Sequence, residues 1–149
     1  MDFTLGIQDP LVLAVVSEFR RGFARRGQLA WVVDTGPELA FVSMSPLARC
    51  VTASVSLIDL PNVGIEESES RRLILIDAAS AHGALDENRR KMLALKIGRP
   101  ALELVFVTAY RDRSELTLLT ELPLGTTAWF KNEPGHFIDF NGGSIRGAL

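Results

Sequence analysis

The chain has 149 residues, a formal net charge of −2, 47% hydrophobic and 23% charged residues. These values are typical of one soluble globular domain, and we treat residues 1–149 as a single domain. No apolar run approaches the roughly 18 residues of a membrane-spanning helix, and the N-terminus has no signal-peptide pattern, so we expect no membrane partner. The single cysteine, Cys50, excludes an internal disulfide; we expect a cytoplasmic protein in which Cys50 is a small buried residue.

The first half of the chain predicts one helix followed by strands. Asp9-Pro10 is typical of a helix start, because an Asp N-cap accepts backbone N–H groups and Pro fits the first turn. We predict a helix from there to Arg26, ended by Gly27. Strands are predicted over residues 29–34 and 39–44, paired antiparallel. Residues 45–60 are ambiguous, and the alternation from Val51 to Leu57 favours a strand.

The second half of the chain predicts a buried central strand. Residues 61–65 predict a short strand, 66–72 a charged turn, and 73–79 a strand that is apolar at consecutive positions and therefore buried on both faces. A helix is predicted over residues 84–97, entered through Asp86 and closed by Gly98. A strand over 102–109, a helix capped by Asp112 or Ser114 and running to about residue 122, and strands over 126–130 and 136–140 follow. This order predicts a mixed α/β fold with a central sheet flanked by helices.

Two acidic residues end predicted strands. Asp77 ends the buried strand and precedes a run of small residues. Because a buried carboxylate needs solvent, hydrogen bonds or a metal ion, Asp77 belongs either to a functional site or to the cap of the next turn. Asp34 has the same setting before Thr35-Gly36, and it is either an Asx-turn residue or a second acid of the same site.

The spacing of Asn62 and Asp77 is similar to a pattern found in metal-dependent nucleases. There, a strand opens with Pro-Asp, the next strand carries an acid, and a lysine follows two residues later; the acids hold Mg²⁺, which polarises a phosphate and activates water. Here position 62 is Asn and position 79 is Ala79, so the pattern is incomplete. Ser80 and His82 do not form a convincing hydrolase pair, and no Cys/His cluster supports zinc.

Basic residues form two clusters along this chain, although its net charge is negative. A local basic face can contact phosphates even on an acidic chain, and the alternative is a solvated helix surface. The clusters are Arg20, Arg21, Arg25 and Arg26 in the first predicted helix, and Arg89, Arg90 and Lys91 in the second.

Five segments, in order, carry a resemblance to one known family. Residues 33–35 (VDT) are similar to a GDT motif and residues 60–63 (LPNV) to a PDV motif. Residues 76–84 (IDAASAHGA), 103–113 (ELVFVTAYRDR) and 134–142 (PGHFIDFNG) are similar to IEAVTSHGP, GLVYVTAFPDR and PDHLIHFNG. Over about residues 10–143, the chain resembles the nuclease domain of the BsuBI/PstI family of type II restriction endonucleases.

The resemblance implies a PD-(D/E)xK fold, Mg²⁺ as cofactor, and cleavage of a palindromic site in double-stranded DNA by a homodimer; we expect no small organic cofactor. It implies Asp77 as the principal metal ligand, with Asp34 and Asn62 as second ligands. The implied catalytic residues are Asp77, Asn62, Ser80 and His82. The predicted DNA contacts are Arg89, Arg90 and Lys91, together with Arg20 and Arg21 of the first basic cluster. The family carries an additional N-terminal region, so we expect this chain to be the catalytic half or a shortened relative. The sheet edge within residues 126–139 is the expected dimer surface.

Two departures from the family pattern leave the activity open. Asn62 stands where the family has an aspartate, and Asp77 stands where it has a glutamate. An Asn offers a carbonyl oxygen to Mg²⁺ but no charge. Three hypotheses follow: an Mg²⁺-dependent endonuclease of a restriction-modification system, an impaired relative retained for DNA or protein binding, and a structural or dimerising domain without a nucleic-acid role.

Overall fold

A seven-stranded sheet forms the centre of the computed structural model, which describes residues 6–36, 38–79, 85–99, 101–118 and 124–140. Its strands are β1 (Gln28–Asp34), β2 (Glu38–Val42), β3 (Val63–Glu67), β4 (Arg72–Ala78), β5 (Glu103–Tyr110), β6 (Thr126–Phe130) and β7 (Phe137–Phe140). The spatial order is β2-β1-β3-β4-β5-β6-β7. The predicted mixed α/β fold around a central sheet is therefore confirmed.

The strand directions place several strand ends at one edge of the sheet. The pairs β1–β2, β1–β3, β3–β4 and β6–β7 are antiparallel, whereas β4–β5 and β5–β6 are parallel. Strands β1, β4, β5 and β6 therefore all run in the same direction, and β3 begins where they end. We call the edge that collects these four strand ends the carboxyl edge. In α/β sheets this is where ligands usually bind.

The N-terminal helix covers one face of the sheet. It consists of α1 (Pro10–Ala14), a π-helical turn (Val15–Phe19) and α2 (Arg20–Phe23) in direct succession. The predicted start is confirmed, since the Asp9 carboxylate accepts the first backbone N–H groups of α1. The predicted end is wrong: a Cβ on Gly27 would lie 2.4 Å from Ile65 Cγ2, so Gly27 permits close packing on the sheet rather than capping the helix.

Helix α3 (Pro46–Ser54) replaces the strand predicted within residues 45–60. Ser45 caps it through a hydrogen bond from Ala48 N, 3.3 Å long. Ala48, Val51 and Val55 are buried at spacings of three and four, so the apolar pattern from position 51 was helical. Cys50 is exposed on the outer side of this helix, so its predicted burial is wrong.

The remaining helices lie after β4 and β5. Helix α4 (Glu87–Ile97) has the predicted caps, with Asp86 accepting from Arg89 N at 2.8 Å and Gly98 at the C-terminus. A 3₁₀ helix (Arg113–Leu118) follows β5, and residues 119–123 of the predicted helix lie outside the described part of the chain. No helix of the described ranges is long and apolar enough to cross a membrane.

The side chains of β4 alternate between two hydrophobic cores. Ile74 and Ile76 pack with the N-terminal helix, and Leu73 and Leu75 pack with α3 and α4. The predicted burial of this strand on both faces is confirmed. Because successive side chains of a strand alternate, Asp77 lies on the face covered by α4.

Candidate active site at the carboxyl edge

Asp77 ends the apolar run of β4, and its side chain is fully buried. Its Oδ2 accepts a hydrogen bond from Arg89 Nε at 2.7 Å, and its Oδ1 accepts from Arg89 Nη2 at 3.2 Å. The backbone N–H of Asn62 also donates to Oδ1, at 3.3 Å. The charge of a buried carboxylate is thus compensated by a two-pronged guanidinium and a backbone donor.

Arg89 reaches Asp77 from the first turn of α4. This helix starts at the carboxyl edge, because it follows β4 on the chain, and Asp86 fixes its first turn by capping Arg89 N. The Arg89 side chain is only 15% exposed. The helix start therefore holds one positive charge directly against the strand-end acid.

Asn62 is a structural bridge at the start of β3. Its Oδ1 accepts from the backbone N–H of Ala78 at 2.9 Å, and its Nδ2 donates to the Val33 carbonyl at 2.8 Å. Its own carbonyl oxygen accepts from Val33 N at 2.7 Å. The side-chain amide therefore ties the end of β1 to the end of β4 and uses both its donor and its acceptor on backbone groups.

Asp34 binds the backbone of the segment before the N-terminal helix. Its Oδ2 accepts from Gln8 N at 2.5 Å, and its Oδ1 accepts from Asp9 N and Thr35 N at 3.1 and 2.9 Å. The bond to Thr35 N is that of an Asx-type turn. These described bonds anchor a chain segment and do not join Asp34 to Asp77 or Asn62.

Two polar residues of β5, Thr108 and Tyr110, lie on the same face of the sheet as Asp77, and they were not predicted from the sequence. Thr108 is the register partner of Asp77, and its hydroxyl accepts from Leu85 N at 3.2 Å. Tyr110, two residues further, is buried, and burial raises the pKa of its hydroxyl. The neighbouring Thr108 side chain acts on this pKa in the opposite direction, with a smaller effect than burial. The available signal was two polar residues spaced by two at the end of an apolar strand beside Asp77.

The structure brings together Asp77, Asn62 and Arg89 among the predicted site residues. Ser80 and His82 lie outside the described residues. The other predicted DNA contacts lie away from Asp77 or are engaged elsewhere: Arg90 donates to the Leu85 carbonyl at 2.6 Å, Lys91 pairs with Glu87 at 3.1 Å, Arg20 is half-buried in the N-terminal helix, and Arg21 is exposed there.

Asp77 is the carboxylate of this site that could hold a divalent cation, and it would do so only once Arg89 has left its two oxygens. No group of three or more His, Cys, Asp or Glu residues within the described ranges is arranged to hold a metal ion. Mg²⁺, however, is commonly held by one or two carboxylates, with substrate phosphates and water as the other ligands. Asn62 does not fit as a second ligand in this arrangement, because its oxygen accepts from Ala78 N.

The BsuBI/PstI restriction endonuclease domain family matches residues 1–143. The type II restriction enzyme BsuBI of Bacillus subtilis is 29% identical over 140 residues, covering 93% of this chain and 44% of that protein. The type II restriction enzyme AplI of Arthrospira platensis is 35% identical over 85 residues, covering 56% and 26%. The solved structure of SdaI restriction endonuclease aligns with a TM-score of 0.69 and 25% identity over 89% of this chain and 42% of that one. The chain thus spans less than half the length of each relative.

The structural match agrees with the sheet described above. The fold is restriction-endonuclease-like, as predicted. The chain belongs to the BsuBI/PstI restriction endonuclease domain family.

Proposed function

We propose that this domain cleaves phosphodiester bonds of double-stranded DNA and that it needs Mg²⁺ bound at Asp77. The observation that carries the proposal is the fully buried carboxylate at the end of β4, in a chain of this family. Two relatives are type II restriction enzymes, which supports DNA as the substrate.

The residues at the carboxyl edge suit this chemistry. Asp77 holds the cation with one hard oxygen ligand, and the backbone N–H of Asn62 orients its carboxylate. A divalent cation, when bound, polarises the phosphate and lowers the pKa of a water nucleophile. Arg89, once released from Asp77, offers two N–H groups to a phosphate oxygen, a geometry that guanidinium groups favour. Ser80 and His82 stay predicted phosphate contacts.

A second function is favoured by two specific observations. Arg89 donates to both carboxylate oxygens of Asp77. The side-chain amide of Asn62 already forms hydrogen bonds with two backbone groups. A domain with these two features can keep the fold and its affinity for DNA while cleaving poorly. The second candidate is therefore an impaired nuclease that binds DNA.

One experiment separates the two functions. The purified chain is incubated with supercoiled plasmid and Mg²⁺ or Mn²⁺, and its affinity for a labelled duplex is measured in parallel. Non-specific nicking is the appropriate readout, because the chain spans less than half of its relatives. Nicking that needs the metal supports the first candidate. Binding without nicking supports the second, and neither binding nor nicking contradicts both.

We also propose a homodimer, because cleavage of both strands of a palindrome calls for two copies of one site. Among the described strands, β7 lies at the edge of the sheet, within the predicted dimer surface. Light scattering coupled to size-exclusion chromatography tests this: a mass of one chain at all concentrations, with and without duplex, contradicts the dimer. The cytoplasmic location stays a prediction.

A further inference from the structure

Two basic residues directly follow neighbouring parallel strands at the carboxyl edge. Arg111 follows β5 and Lys131 follows β6, and the last residues of these strands are register partners. The backbone continues this pairing, since Lys131 N donates to the Tyr110 carbonyl at 2.8 Å and Asn132 N donates to the Arg111 carbonyl at 3.1 Å. The backbones of Arg111 and Lys131 therefore lie side by side.

Arg111 and Lys131 line a cleft of about 390 Å³, which we call the flanking cleft. Residues 8–11 and Thr35 also line it. Asp34 holds the segment around residues 8 and 9 in place through its bonds to Gln8 N and Asp9 N. The Asp9 carboxylate, the acidic group of the cleft, accepts from the start of α1 and from the Thr35 hydroxyl.

The cations of the flanking cleft are available to a ligand. Lys131 is exposed and makes no ion pair with any other described residue. The Arg111 side chain is 73% exposed, and it pairs at 3.1 Å with Glu115, whose side chain is 19% exposed. Within the described contacts of this side chain, Glu115 accepts from Nε, so the two Nη groups stay available to a phosphate oxygen. By contrast, the predicted contacts Arg90 and Lys91 already have partners within α4 and its N-terminal loop.

The strand register sets how far this cleft lies from the acid. Thr108 is level with Asp77, and Arg111 lies three residues further along β5. At about 3.3 Å per residue and 4.8 Å between strands, the Cα of Arg111 is roughly 11 Å and that of Lys131 roughly 14 Å from the Cα of Asp77. For a duplex whose axis runs along this direction, a rise of about 3.4 Å per base pair makes the span three or four base pairs.

We infer that the flanking cleft binds a backbone phosphate of duplex DNA, through Lys131 and Arg111, three or four base pairs away from the bond at Asp77. The inference rests on the proposed action on DNA. It adds a sequence-independent contact that sets the register of the duplex on the carboxyl edge, which is the role phosphate contacts usually have.

The test measures binding of a labelled duplex of about 20 base pairs by fluorescence anisotropy in EDTA, which prevents cleavage, across about 50 to 200 mM salt. The variants are Lys131→Gln and Arg111→Gln. The matched controls are Lys96→Gln, near the end of α4, and Arg71→Gln, just before β4; both residues are exposed and lie toward the opposite edge of the sheet. Thermal unfolding checks that all four variants fold.

We expect each cleft variant to weaken binding to unrelated sequences equally and to reduce the slope of log K against log salt by about 1. The two controls keep the slope of the unmodified chain. If the unmodified chain binds but Lys131→Gln behaves like Lys96→Gln, the inference is wrong and the proposed function stands. Weaker binding with an unchanged salt slope also overturns it. No binding of the unmodified chain at low salt overturns the inference and the proposed function together.

Discussion

Arg89 donates hydrogen bonds to both carboxylate oxygens of Asp77, from Nε to Oδ2 at 2.7 Å and from Nη2 to Oδ1 at 3.2 Å. The Asp77 side chain is fully buried, and the Arg89 side chain is 15% exposed. The pair therefore has two consequences: it links α4 to β4, and it places a positive charge on the same carboxylate that a divalent cation needs.

Replacing Arg89 by Gln tests this relationship. The change leaves the buried Asp77 carboxylate without its guanidinium, so we expect the free energy of unfolding to fall by roughly 3 kcal/mol. Because a ligand of the native state raises its stability, Mn²⁺ or Mg²⁺ should raise the melting temperature of Arg89→Gln more than that of the unmodified chain. Thermal unfolding with and without metal measures both effects.

The control for that measurement is Lys91→Gln, whose exposed pair with Glu87 is worth at most about 0.5 kcal/mol. It should change neither the melting temperature nor its response to metal. A melting temperature of Arg89→Gln that does not respond to either metal would argue against a cation site at Asp77.

Asn62→Asp restores the family's residue but removes a structural donor. The Asp side chain cannot donate to the Val33 carbonyl, which then faces a second oxygen in a buried position. We expect a loss of about 1–3 kcal/mol in the free energy of unfolding, measured by urea denaturation, and no gain in plasmid nicking. A variant that is as stable as the parent and cuts faster would show that position 62 is a metal ligand.

The Asp34 carboxylate stabilises the segment just before the N-terminal helix, because it accepts from Gln8 N and Asp9 N. Asp34→Ala removes three acceptor bonds to backbone N–H groups, so we expect a loss of about 2–3 kcal/mol in the free energy of unfolding. The metal response of the melting temperature should remain in the double variant Asp34→Ala/Arg89→Gln. Disappearance of that response alone would identify Asp34 as a cation ligand.

Tyr110 gives the fold a pH dependence on the alkaline side. Burial raises its pKa above the ordinary value of 10.0, so the native state keeps the hydroxyl proton where the unfolded chain loses it. The resulting stability is present below pH 10 and is lost as the pH rises through the native pKa. Tyr110→Phe should lose this dependence and cost at most about 1.5 kcal/mol at neutral pH, because the interaction with Thr108 is the polar contact that the change removes.

Tyr110 is the only tyrosine of the chain, so tyrosinate absorbance follows this one group in the parent protein. Urea denaturation at pH 8 and above pH 10, compared between parent and Tyr110→Phe, gives the stability difference. A tyrosine that titrates at or below its ordinary pKa in the folded protein would contradict the burial described here.

The sequence predicted those parts of the fold that depend on local patterns. The apolar run ending at Asp77 and the caps at Asp9 and Asp86 were readable, because burial of consecutive residues and N-cap chemistry leave direct signals. The segment around Val51 was misread, since residues spaced by two and by four fit both a strand and a helix.

The contacts of the site needed the folded structure. The local sequence does not predict that the Arg89 side chain contacts Asp77. It also does not predict that the Asn62 amide bridges β1 and β4, which are far apart in sequence. Arg111 and Lys131 became neighbours only when β5 and β6 were seen to be parallel and in register. Each of these relationships depends on strand order, which short-range patterns do not encode.

The most direct test of the central claim compares metal-dependent plasmid nicking by the unmodified chain and by Asp77→Asn, which keeps the shape of the side chain and removes its charge. Glu87→Gln is the matched control, because this exposed acid lies at the start of the same helix that carries Arg89. We expect nicking by the unmodified chain and by Glu87→Gln, and none by Asp77→Asn. Equal nicking by Asp77→Asn would rule out metal-dependent cleavage at this carboxylate.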